Sequence, residues 1–252
     1  MTSDADASGD VLRTLTLLGC FAFAYNAAVA LHELGHVSAA LIGGGRVQSL
    51  SLHPLGTSAV AIAPDPKPWL TAAGGPVLGS LLAFLIGAWA KRSDFPAGVP
   101  LVVLGAIGPL ASGLGLLVGA IFGFGDAVEL EREGIPRGAA AAVGTLLAAL
   151  GASQVPAALG AVGLDQSFSF ARRLVLLALG VGPYLAAIAA WNLCADPSQA
   201  RPWILLVLAG ASFLAVASHR SMAARMARAP TQTSATTAVI AGAVAIAVSA
   251  LV

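Results

Sequence analysis

The chain has 252 residues, of which 58% are hydrophobic and 10% charged, and its net charge is +1. With a mean hydropathy of +0.87, that much apolar surface cannot be folded into one water-soluble core, so the chain belongs in a membrane. Its 13 basic and 12 acidic residues are thinly spread, which excludes a nucleic-acid footprint or a polybasic lipid-binding patch. Its two cysteines, Cys20 and Cys194, each sit inside an apolar run, which excludes a disulfide framework; both read as buried thiols.

A hydrocarbon core of about 30 Å takes roughly 20 apolar residues per helix. The expected fold class is therefore all-α: a polytopic membrane protein of about six to seven transmembrane helices, with a short membrane-associated β-hairpin between the first two. The first apolar run, residues 11–42, ends at Gly43, Gly44 and Gly45 and as a helix exceeds the bilayer thickness, so it must tilt, protrude or break. Inside it stands the most informative stretch of the chain, His32-Glu33-Leu34-Gly35-His36.

Residues four apart share a helix face, so His32 and His36 can both present an imidazole nitrogen to one metal ion. Glu33 lies beside them as the candidate catalytic base, placed to take a proton from an activated water. Zinc is the expected ion, one per chain, because two imidazoles plus one carboxylate with an open fourth position is its usual catalytic arrangement. The membrane sharpens the motif. Ionisable side chains at mid-bilayer cost about 2.5 kcal/mol or more on insertion scales, and the apolar VSAALI that follows keeps the motif within greasy sequence.

After the first helix, RVQSLSLHPLGTSAVAIAP alternates in the manner of a strand, turns at Pro54-Leu55-Gly56 and continues into TSAVAI, which reads as a β-hairpin over residues 47–62. His53 at its turn reads as a surface histidine. Further spans are expected over residues 69–90, 99–122, 137–159, 171–193, 203–218 and 236–252. The third metal ligand must be a carboxylate. Asp126 in GFGDAVELEREGIP is favoured, at the end of the third apolar helix, with Glu129 one turn beyond as its substitute. Glu133 is a further competitor, while Asp65 and Asp94 fall in loops and read as solvated surface.

HELGH in the first helix, Ala72-Ala73-Gly74-Gly75-Pro76 at the start of the second and Gly125-Asp126-Ala127 at the end of the third together resemble the site-2 protease family of intramembrane metalloproteases, particularly its compact prokaryotic and chloroplast-type members. In that family HExxH lies in the first of three core helices, a Gly-Pro motif opens the second, and an aspartate near Leu-Asp-Gly on the third completes the zinc site. The resemblance covers roughly residues 15–136 and divides the chain into a catalytic core, 1–136, and additional transmembrane helices of unknown role, 137–252. It implies Asp126 as the third ligand, Gly75 and Pro76 as substrate-binding positions, and hydrolysis by zinc-activated water of peptide bonds in or near transmembrane segments. The implied partners are a membrane-protein substrate and the bilayer of a prokaryotic cell membrane. Gly79 stands where the family often has a polar Asn. The alternative readings are a non-catalytic metal-binding membrane protein and an ion transporter. A transport pathway would distribute ionisable residues through several helices, yet the later helices carry few, and an inactive relative has no need of Glu33.

Overall fold

The computed structural model describes residues 4–56, 58–93, 98–164, 168–195 and 232–251. Helix α1 runs over Asp4–Gly43, and its apolar stretch Ser8–Gly43 is long enough to cross a membrane. Its early hydroxyls are satisfied within the helix, Thr14 donating to the Asp10 carbonyl at 2.9 Å and Thr16 to that of Leu12 at 2.8 Å. These bonds remove the cost of burying them.

Strand β1 (Val47–Ser51) pairs antiparallel with β2 (Ala59–Ile62), in the register Val47↔Ile62, Ser49↔Ala61, Leu50↔Val60 and Ser51↔Ala59. The hairpin expected from the alternating pattern is present, and it folds back along α1. From Val47 to Leu55 an extended chain covers about 25 Å, as does α1 from Gly43 back to Asn26. The turn accordingly reaches the level of Asn26, midway along the apolar stretch of α1, where Asn26 donates to Tyr184 Oη at 2.6 Å and that hydroxyl donates to the Pro54 carbonyl at 2.7 Å.

The second span, Pro68–Ala90, is one membrane-length unit in three pieces: α2 (Pro68–Gly74), a π turn at Gly75–Gly79, and α3 (Ser80–Ala90). Sequence periodicity suggests an unbroken helix; the widened turn follows from Pro76, which has no N–H to return to the preceding turn. Helix α4 (Gly98–Phe122) is the central helix, with seventeen buried residues. Three more described helices follow: α6 (Arg137–Ala161) and α7 (Phe170–Ala195), both of membrane-crossing length, and α8 (Gln232–Leu251), with the shorter apolar core Thr236–Ala250. The short α5 (Asp126–Arg132) lies between α4 and α6. The expected span at 203–218 lies outside the described residues.

Lipid gives helices no hydrophobic reason to associate, so close van der Waals packing of small residues must hold them together. The α4–α6 seam has this form, with Gly113 against the backbone of Ala148 and Gly144, and Gly151 against that of Leu110; α8 meets α1 at Gly19, Ala238 and Gly242. Cys20 is buried as expected, but Cys194 is exposed. It lies in the last turn of α7, where the neighbouring Trp191 and Leu193 are exposed as well. An apolar run alone does not say which face of a helix is covered.

Candidate active site

The helical period brings His32 and His36 together on α1, with ring centroids 4.8 Å apart and their Nε2 atoms 3.1 Å apart. Asp126 closes the triangle: Oδ2 is 3.1 Å from His32 Nε2 and Oδ1 is 3.4 Å from His36 Nε2. The three residues form a group able to hold a metal ion, with ligand atoms all within 4.8 Å of one another. Glu129, the alternative, pairs with Arg132 and is more than half exposed. It lines the same cavity without joining the group, as do Glu133 and Asp65. Asp65 is half-buried there and accepts from the Lys67 amide at 3.3 Å; Asp94 lies outside the described residues.

Asp126 does not stand at the end of the third apolar helix, as expected from the sequence. That helix stops at Phe122, and Asp126 opens α5 after a turn in which Gly123 and Gly125 take φ of 76° and 61°. With ψ at −153°, Gly125 occupies a region essentially reserved for glycine. This turn carries the carboxylate back over α1. Replacing Gly125 by Ala should introduce about 1–3 kcal/mol of backbone strain and weaken metal binding while leaving the histidines in place. Equilibrium dialysis against zinc checks this, and unchanged affinity would show that the turn does not set the carboxylate.

Each imidazole has a partner at its other nitrogen. His36 Nδ1 donates to the Thr71 carbonyl at 2.7 Å, and His32 Nδ1 lies 3.3 Å from Ser112 Oγ. The Thr71 carbonyl can only accept, so His36 carries its proton on Nδ1 and turns its Nε2 lone pair toward Asp126, as a metal ligand would; Ser112 can hold the His32 ring in the same way. Thr71 and Ser112 were not singled out from sequence, although Ser112 is the one polar side chain in residues 98–122, a signal in itself. Ser112→Ala should lower zinc affinity about 10–100-fold, the usual cost of losing an outer-shell partner. Competition with a zinc-binding dye measures it; wild-type affinity would mean that His32 is oriented without the serine.

The π turn supplies the floor. A Cβ at Gly75 would lie 2.2 Å from His36 Nε2, and one at Gly79 would lie 2.7 Å from His32 Cα. The turn therefore packs directly against the motif, and the larger Asn of the family pattern has no space at Gly79. Pro76 is fully buried beside it, so neither Gly75 nor Pro76 offers a side chain to a ligand. Glu33 is 7% exposed and, with the two histidines, Ser112 and Asp126, lines a cavity of about 560 Å³. Ala59, Val60 and Ile62 of β2 form its other wall. His53 is half-buried, its Nδ1 accepting from the turn amides of Leu55 and Gly56 at 3.1 and 2.5 Å. It shapes the hairpin and lies outside the metal group.

Five apolar membrane-length helices and a cluster of two histidines and a carboxylate define an integral multi-pass membrane protein with a metal-type site. Residues 15–114 match the family model described as Peptidase M50B-like, the family that this part of the chain is similar to. The match takes in HELGH, the hairpin, the Gly75-Pro76 turn and Ser112, and stops short of Asp126. No curated protein and no solved structure matches the chain.

Proposed function

We propose that the protein is a zinc-dependent intramembrane endopeptidase that hydrolyses peptide bonds in or near the transmembrane segments of other membrane proteins. The observation that carries this reading is the convergence of His32, His36 and Asp126 beside buried Glu33 in one cavity. The donor set fits zinc: two imidazole nitrogens and one carboxylate leave a further position for water.

In this reading His32, His36 and Asp126 hold the ion, and the Thr71 carbonyl and Ser112 hydroxyl fix the two rings. Zinc supplies Lewis acidity, making water a nucleophile near neutral pH and polarising the scissile carbonyl. The Glu33 carboxylate accepts the proton of the attacking water and delivers it to the departing amide nitrogen. The apolar side chains of Val29, Val60 and Leu116 on the cavity walls lower the local dielectric and so strengthen these electrostatic contacts.

A helical substrate hides its carbonyls in hydrogen bonds and must unwind before attack. Strand β2 lines the cavity and, among the described strands, pairs only with β1, so its outer edge is suited to receive an extended segment by strand addition.

The test uses purified protein in lipid vesicles with a synthetic transmembrane peptide of leucine and alanine carrying a central Asn-Pro-Gly break. Mass spectrometry of the products should locate cuts near the break, within the membrane-embedded stretch. Cleavage confined to the water-exposed flanks, or none, would contradict the reading.

A further inference from the structure

Helix α7 lies beyond the family match, yet it grips the turn of the hairpin through buried polar groups. Tyr184 Oη donates to the Pro54 carbonyl at 2.7 Å, and Asn192 Nδ2 donates to the Leu55 carbonyl at 2.9 Å. Tyr184 is fixed in turn by α1, since Asn26 Nδ2 donates both to its hydroxyl at 2.6 Å and to the Ala22 carbonyl at 2.8 Å. The indole of Trp191 lies against the His53 ring at a centroid distance of 4.7 Å, and a Cβ at Gly56 would lie 2.9 Å from Trp191 Nε1. Tyr184, Asn26 and Asn192 are all at most 7% exposed.

Two consecutive turn carbonyls at membrane depth would otherwise stand without donors, which is costly where no water is available. A two-stranded hairpin is also marginally stable by itself. The polar side chains of α7 thus serve the hairpin as much as their own helix.

We propose that α7 is the strap that holds strand β2 against the catalytic cavity, and that Tyr184 and Asn192 are positioning residues for substrate. They act through the Pro54 and Leu55 carbonyls without touching the metal group. The substrate role rests on the proteolytic reading above; the mechanical role does not. Helix α7 thereby couples the helices beyond the core to the wall of the cavity, and any movement of α7 changes where an extended substrate can lie.

The experiment compares wild type with Tyr184→Phe/Asn192→Leu in the full chain. Phe at 184 keeps the ring packing against Phe21 and Tyr25, at centroid distances of 6.0 and 5.7 Å, and removes only the hydroxyl. Hydrogen exchange should accelerate about tenfold in peptides spanning residues 47–62, as expected for the loss of two hydrogen bonds, while peptides covering residues 28–40 and the zinc content stay unchanged. Equal exchange of the hairpin in the two proteins overturns the strap. If the double variant does not fold, Tyr184→Phe alone is read in the same way.

With the leucine-alanine peptide as substrate, KM should rise about tenfold for the same two bonds, with kcat within about twofold. Loosened exchange with unchanged KM overturns the substrate role. If wild type cuts nothing, the proteolytic reading fails by itself, and the exchange measurement still decides whether α7 holds the hairpin.

Discussion

Glu33→Gln should leave the protein folded and its zinc in place while lowering cleavage of a transmembrane peptide by about 10²–10⁴-fold. The amide preserves the shape of the side chain at a position that is 7% exposed, so packing against the cavity wall is retained. What it loses is the capacity to accept a proton. The loss falls toward the larger end of the range because one carboxylate is asked to do two transfers, from the attacking water and to the departing nitrogen. Neither histidine is touched, and both ring partners, the Thr71 carbonyl and Ser112, stay in position. The measurement is product formation at equal zinc occupancy. A Gln variant that binds zinc poorly would show Glu33 to be structural, and one that cleaves at the wild-type rate would leave the site without a role in proteolysis.

His36→Ala and His32→Ala should each strip the metal. Either change leaves one imidazole and one carboxylate, too few to hold zinc against competition from buffer and adventitious ligands. Affinity is expected to fall more than about 100-fold, beyond the 10–100-fold that follows loss of an outer-shell partner. His36 is the more buried of the two, with its side chain 9% exposed against 21% for His32. It packs on Gly75 of the π turn, so its removal also opens a void against that turn. Metal analysis after dialysis at neutral pH checks both variants. One that keeps a full equivalent of zinc would move the ligand set elsewhere.

The HELGH stretch was legible because a helix has a fixed period: four residues suffice to align two imidazoles, whatever the rest of the fold does. The hairpin was legible because alternation ends at a Pro-Leu-Gly turn. The position of Asp126 was only half legible. The structure groups it with the two histidines, but its place at the head of α5 depends on two glycines with positive φ, and backbone angles of that kind cannot be counted from an apolar run. Ser112 left a signal as a lone hydroxyl in a greasy helix. Its partner ring stands 80 positions earlier in the chain, so only tertiary structure reveals the pairing. The same holds for Asn26, Tyr184 and Asn192, whose hydrogen bonds cross from one helix to another and to a hairpin. The exposure of Cys194 is not legible, because hydropathy reports the composition of a helix and leaves open which of its faces is covered.

The central claim is that zinc held by His32, His36 and Asp126 makes this membrane protein a peptidase, and the most direct test is a metal titration. Purified protein is stripped with a chelator, returned to lipid vesicles and supplied with increasing zinc, while bound metal and cleavage of the leucine-alanine peptide are followed together. Cleavage should be absent from the stripped protein, rise in proportion to bound zinc and level off at about one equivalent per chain, as expected for a single site. Full cleavage by the metal-free protein, or zinc uptake without cleavage, would contradict the account.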